Sequence, residues 1–154
     1  CLFENQNSSD VSIDLSNVWY GNFSQLSCYS GSNSVMKISN SNVVMFNSRL
    51  TTSTGTNVIE AISGFNSGVS LIGGSLVIIN SDANGNGVNI SSGATVNIVN
   101  SAFQVGTSAG TGRAVFGVSG STFVNGTNTI IFGTNAKRST AITNVPHATS
   151  FTPA

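Results

Sequence analysis

Charged residues are scarce in this chain of 154 residues. Five Lys and Arg balance five Asp and Glu, and charged residues make up 6% of the sequence, against roughly 25% in an average soluble domain. Because no basic stripe could neutralise phosphates, we do not expect the chain to bind nucleic acid. Its polar surface must come from Ser, Thr, Asn and Gly, a composition that suits a rigid protein on a virion or extracellular surface.

Long apolar runs, ligand clusters and helix-forming runs are also missing. The longest apolar runs, such as Leu76–Ile79, fall far short of the roughly 18 residues of a membrane-spanning helix, so no membrane insertion is predicted. Cys1 and Cys28 could pair, but neither lies in a CxxC or His-rich pattern, so no metal or cofactor is predicted. Frequent Gly and abundant β-branched residues exclude a mainly helical fold.

What the chain does contain is a short motif that returns four times. An aliphatic anchor is followed two positions later by Asn or Gly, then by Ser, and five positions after the anchor by Val or Phe. The anchors are 34, 26 and 20 residues apart, at Ile38, Ile72, Ile98 and Val118. A fifth, weaker copy runs from Leu15 to Trp19. Self-similarity at this scale indicates a solenoid, in which one repeat cannot bury its apolar face alone.

The residues around each anchor predict strand, polar corner and strand. Anchors and the residues two positions before them are mostly apolar, which is the period of two of a half-buried strand. The copy with Ser70 and Leu71 breaks this pattern, so its register is expected to slip by one. We predict that the four anchors stack in one buried column, that Asn40 and Asn100 share a corner column, and that a second buried column holds Val43, Val77, Phe103 and Phe123. Further strands are predicted at Asn57–Ile62 and Thr129–Phe132.

These strands and Asn/Ser/Gly corners resemble a single-stranded right-handed parallel β-helix of the pectate-lyase-like kind. The fold class is therefore all-β, a solenoid of about five rungs with irregular terminal segments. We expect an N-terminal segment over residues 1–10, the β-helix over residues 11–133, and an irregular tail or linker to a missing domain over residues 134–154. The chain is interpreted as a fragment of a longer protein.

The scarcity of charge and the excess of Asn, Ser, Thr and Gly are similar to bacteriophage tailspikes and tail fibres. That resemblance implies a homotrimer that recognises a host-surface polysaccharide and in some members cleaves it. The rungs also resemble the passenger solenoids of bacterial adhesins and autotransporters, which are monomeric. An ice-binding array is disfavoured because the Thr-rich stretch 51–56 does not recur in later rungs.

Candidate site residues are few. A glycoside hydrolase or lyase acting as a polysaccharide depolymerase would need converging carboxylates, and Glu60 with Asp82 is the available pair. The competing interpretation, which is favoured, makes Glu60 an outward, solvated strand residue. The segment taken alone is therefore expected to bind polysaccharide weakly or not at all and to have no hydrolase activity of its own. Trp19, Tyr20 and Tyr29, the only Trp and Tyr residues, could form a saccharide platform, or Trp19 could fill the end of the core. Asp14 and Lys37 are expected to form a cross-rung ion pair.

Overall fold

The computed structural model describes residues 2–5, 10–62, 70–105, 111–117, 122–125, 130–132 and 149–151, and every regular element in them is a β-strand. The strands are β1 (Leu2–Asn5), β2 (Ile13–Ser16), β3 (Gly21–Ser24), β4 (Ser27–Ser30), β5 (Met36–Ser39), β6 (Asn42–Phe46), β7 (Arg49–Thr52), β8 (Asn57–Ile62), β9 (Ser70–Gly74), β10 (Val77–Asn80), β11 (Asn86–Ile90), β12 (Thr95–Val99), β13 (Ala102–Val105), β14 (Val115–Gly117), β15 (Thr122–Asn125), β16 (Ile130–Phe132) and β17 (Thr149–Phe151).

The strands form three parallel sheets that wind into a β-solenoid of about four turns, one fewer than the five expected. Sheet A has the order β1-β4-β7-β10-β13-β16-β17, sheet B β14-β11-β8-β5-β2 and sheet C β15-β12-β9-β6-β3. Apart from β16 and β17, neighbours in a sheet are three strands apart in the chain, because each turn contributes one strand to every sheet. The predicted all-β parallel solenoid is therefore confirmed.

The core lies inside the coil, where alternate residues of each sheet meet. In sheet B the pairing places Met36 beside Ile59 and Ile59 beside Val88, all fully buried. In sheet A, Leu50, Ile78 and Phe103 form an equivalent buried column. The alternation arises because successive side chains of a strand point to opposite faces, so one face fills the interior. Like residues stacked along a column let each turn cover the apolar face of the next.

The two predicted buried columns are wrong as groupings. Ile38 and Ile98 are both fully buried, but Ile38 lies in sheet B beside Ala61, whereas Ile98 lies in sheet C beside Gly73. Ile72 pairs with Asn97, and Val118 lies outside the described residues. The second grouping divides in the same way, with Val43 and Phe123 in sheet C and Val77 and Phe103 in sheet A. The spacings of 34, 26 and 20 residues therefore do not measure one turn.

The reason is that the same polar motif builds two different corners. Asn17 and Asn40 take left-handed backbone conformations between sheets B and C, with φ of 58° and 49°. Asn47 and Asn100 do so between sheets C and A, with φ of 50° and 48°. Asn tolerates this region better than most residues. Asn40 and Asn100 consequently belong to different corner columns, contrary to the prediction.

A buried serine follows the left-handed Asn at both kinds of corner. The Ser48 hydroxyl donates to the Phe46 carbonyl at 2.8 Å and accepts the Leu26 N–H of the previous turn at 3.2 Å. At the corner between sheets B and C, Ser41 makes the matching bonds to the Ser39 carbonyl at 2.7 Å and the Val18 N–H at 2.9 Å. The hydroxyl satisfies two backbone groups at a bend, which explains why the Asn-Ser pair recurs at corners of both kinds.

The expected slip of register at the second copy is confirmed. There the left-handed residue is Ser75 (φ 53°), one position later in the motif than Asn40 or Asn100. The alternation shifts with it, so Ile78 pairs with Phe103 and is fully buried. Val77 points outward instead and is 40% exposed.

The strand predicted at Asn57–Ile62 coincides with β8, and the one predicted at Thr129–Phe132 overlaps β16. Pairing also extends into the terminal segments that were expected to be irregular. Strand β1 pairs with β4, and β17 pairs with β16, both in parallel. Sheet A therefore includes strands on both sides of residues 11–133, the predicted β-helix region.

Candidate functional site

Among the residues that the structure describes, the most exposed aromatic side chains project from the corner between β2 and β3. Trp19 is 91% exposed and Tyr20 is 61% exposed. They follow the left-handed Asn17, which turns the chain out of sheet B. The alternative that Trp19 fills the end of the core is therefore wrong. An indole held almost completely in solvent is available for a ligand, because burying a large aromatic face is strongly favourable.

Side-chain amides from two successive turns surround Trp19. The Asn40 amide donates to the Asn17 Oδ1 at 2.6 Å, and the Asn42 amide donates to the Trp19 carbonyl at 3.3 Å. Together with Val18 these residues line a cavity of about 140 Å³. The cavity combines a flat apolar ring with amides fixed by the corner, an arrangement that suits a sugar ring with one apolar face and hydroxyls at its edge.

Tyr29 does not belong to this cavity. It lies in β4 of sheet A, where its hydroxyl donates to the Ser53 hydroxyl at 3.3 Å. With Glu4, Gly31 and Ser32 it lines a separate open cleft of about 600 Å³. The structure thus brings Trp19 and Tyr20 together but places Tyr29 in another sheet, so the three predicted platform residues do not form one surface.

Glu60 occupies the outer face of sheet B, between Lys37 and Asn89 in the pairing register. Its Oε1 accepts hydrogen bonds from the Ser34 hydroxyl at 2.5 Å and from the Asn57 amide at 3.0 Å. These two bonds hold the carboxylate against its own turn and the turn before it, so a structural role explains the presence of Glu60 in this strand.

The expected ion pair between Asp14 and Lys37 is wrong: the two are register partners, but no ion pair joins these described side chains.

Asp82 has a local role in the turn between β10 and β11. One oxygen of its carboxylate accepts the Asn84 N–H at 2.7 Å, and its carbonyl accepts the Gly85 N–H at 3.2 Å. Asp and Asn commonly stabilise turns in this way. No contact between Asp82 and Glu60 is recorded among the described residues, and a catalytic role for the pair stays a prediction.

Cys28 is a free, buried thiol in β4. Burial raises the pKa of the Cys28 thiol above its ordinary value, although hydrogen bonds with the Ser12 side chain and the Tyr29 backbone oppose the shift. Since the thiolate is the reactive form, Cys28 is a poor nucleophile. Its predicted alternative partner, Cys1, lies outside the described residues.

Metal ligands do not converge in the described part of the chain, where no three His, Cys, Asp or Glu side chains form a cluster. Within the same residues, no helix is long and apolar enough to cross a membrane.

Comparisons with protein families, curated proteins and solved structures found no match to this chain. The tailspike resemblance therefore stays a prediction, and the fold and the Trp19 cavity carry the functional argument.

Proposed function

We propose that this chain is a receptor-binding segment of a phage tailspike or tail fibre, exposed on the virion, that recognises a host-surface polysaccharide through Trp19. The single observation that carries the proposal is the 91% exposure of Trp19 beside a cavity lined by Asn17, Asn40 and Asn42. The solenoid supports recognition because the corners position their side chains on a rigid backbone ladder. Near-absence of charge supports a glycan rather than a nucleic acid as the ligand.

Replacing Trp19 by Ala is expected to weaken glycan binding at least tenfold, about 1.4 kcal/mol, because the stacking surface is lost. Wild type is first screened on an array of O-antigen and capsular oligosaccharides. Hits are then titrated by calorimetry and by Trp19 emission, which is specific because the chain has one Trp. Stacking of a sugar should shift this emission to the blue and protect it from acrylamide.

The matched control is Phe46→Leu. Phe46 is also exposed, at 41%, but it ends β6 beside the corner between sheets C and A and lies outside the Trp19 cavity. Its ring covers Gly74 of the next turn, and Leu preserves an apolar cover there. Equal losses in the two variants, or an array hit whose affinity survives Trp19→Ala, would remove the support for this site.

The proposal includes a parallel homotrimer, and the outer face of sheet C supports it. None of the five strands β3, β6, β9, β12 and β15 contains Asp, Glu, Lys or Arg. Sheet B, by contrast, carries Asp14, Lys37 and Glu60. A face without charges can be covered by a copy of itself at little desolvation cost.

Sedimentation at micromolar concentration is expected to give a species three times the 15.7 kDa of one chain. Val44→Lys, on the outer side of β6, should convert it to a monomer because a buried unpaired charge is costly. Asn89→Lys, in β11 of sheet B, is the control and should remain trimeric. A monomeric wild type would favour the adhesin or autotransporter interpretation instead.

A further inference from the structure

A second groove runs along the corner between sheets C and A. It has a volume of about 440 Å³ and crosses three successive turns. Its rim is formed by the left-handed residues Gln25, Asn47 and Ser75, each the first residue after a strand of sheet C. Their side chains are exposed and polar. Because adjacent turns lie about 4.8 Å apart, a distance comparable with the length of one hexose, a glycan along this groove would meet one polar rim residue per sugar.

Arg49 is the charged residue of this groove. It starts β7 and pairs in register with Ser27 of the turn before and Val77 of the turn after. Arg49 donates a side-chain hydrogen bond from Nε to the Thr51 hydroxyl at 3.4 Å. This bond does not involve the two terminal guanidinium nitrogens, which can therefore donate to a ligand. No carboxylate is found among the described residues that line the groove. An exposed cation without a neutralising acid, in a chain with only five acids, is available to an external anion.

The groove combines three kinds of contact. A guanidinium matches a carboxylate with two parallel hydrogen bonds, which a Lys ammonium does not reproduce. The amides of Gln25 and Asn47 and the hydroxyl of Ser27 can bind sugar hydroxyls. Val77, 40% exposed, offers an apolar surface to the C–H face of a ring. We infer that this groove binds a carboxylate-bearing polysaccharide, with Arg49 engaging the acid group of a uronate or sialate unit.

This inference names a substrate class and rests on the proposed polysaccharide recognition. The two sites are joined by β3, which begins directly after Tyr20 and ends directly before Gln25. Trp19 would supply stacking, which does not distinguish acidic from neutral sugars. Arg49 would supply the discrimination in favour of an acid, so the two contributions can be measured separately.

The experiment uses the whole chain and three acidic oligosaccharides: oligogalacturonate, oligomannuronate and oligosialate. Each is compared by calorimetry with its carboxyl-reduced, neutral counterpart at low ionic strength. We expect at least one acidic probe to bind five- to tenfold more tightly than its reduced form. Arg49→Gln should abolish that preference by weakening the binding of the acidic probe.

Arg113→Gln is the control for loss of one positive charge. Arg113 lies outside the groove, with its guanidinium 5.5 Å from the centre of the Phe116 ring, and this variant should keep the preference. The inference is overturned if no acidic probe is preferred, or if Arg113→Gln matches Arg49→Gln. Binding of neutral glycans that needs Trp19 but ignores Arg49 would overturn the acidic groove and leave the proposed function standing. Glycan binding that requires Arg49 but is unaffected by replacement of Trp19 would overturn the proposed function at Trp19 and leave the acidic groove standing.

Discussion

Truncation of Phe103 to Ala is expected to lower the free energy of unfolding by about 3–5 kcal/mol. Phe103 is the largest fully buried side chain in the described part of the chain. Its ring lies directly against Gly87, where an added Cβ would approach Phe103 Cδ1 to 3.0 Å, and it stacks in register beside the fully buried Ile78. The cavity left by the ring cannot close easily, because parallel strands on both sides hold the backbone of β13 in place.

The matched control is Gln104→Ala, one residue along the same strand but exposed. It should change stability by no more than about 0.5 kcal/mol. Urea unfolding should be followed by circular dichroism, since the single Trp19 is 91% exposed and would report the core poorly. If Phe103→Ala does not fold, Phe103→Leu provides a milder version of the same test. A loss below about 1 kcal/mol for Phe103→Ala would contradict this packing.

The fold could be predicted from the sequence because its period-two alternation is local. The residues of β5, Met36–Ser39, alternate between buried and partly buried positions and are recognisable as a strand without knowledge of their neighbours. The stacking register could not be predicted in the same way. At both kinds of corner the buried hydroxyl of an Asn-Ser pair satisfies the backbone of the bend, so Asn40-Ser41 and Asn100-Ser101 look alike although they serve different corners.

The candidate site was predicted only in part. The exposure of a corner residue depends on whether its side chain points into the coil or out of it, and this is set by the backbone conformation of the corner. Trp19 was identified as a candidate from its residue type. Whether its side chain lies in the core or on the surface depends on the direction in which Asn17 turns the backbone, which the sequence does not give. The Arg49 groove was missed. Gln25, Asn47 and Ser75 come together only when three turns are stacked in the correct register. No local sequence pattern predicts that these three residues lie above one another.

Asn80→Ala is expected to lower the free energy of unfolding by about 3 kcal/mol, a large effect for a polar residue. Asn80 is 2% exposed at the end of β10. Its amide donates to the carbonyls of Gly55 and Asn86, each at 2.9 Å, and its Oδ1 accepts the Asp82 N–H at 3.0 Å. Ala would leave these three backbone groups without their partner, and buried unsatisfied groups are costly.

Two further variants identify the cause of that loss. Asn89→Ala, at a partly buried position of β11, is the control and should cost no more than about 0.5 kcal/mol. Asn80→Asp keeps the shape of the side chain and its acceptor for the Asp82 N–H, but it replaces the donating amide with an oxygen that faces two carbonyls. At neutral pH it should destabilise the protein at least as much as Ala does, because a buried charge then meets acceptors rather than donors. Chemical denaturation at pH 7 decides the matter: wild-type stability in Asn80→Asp would mean that the two donated hydrogen bonds do not hold these turns together.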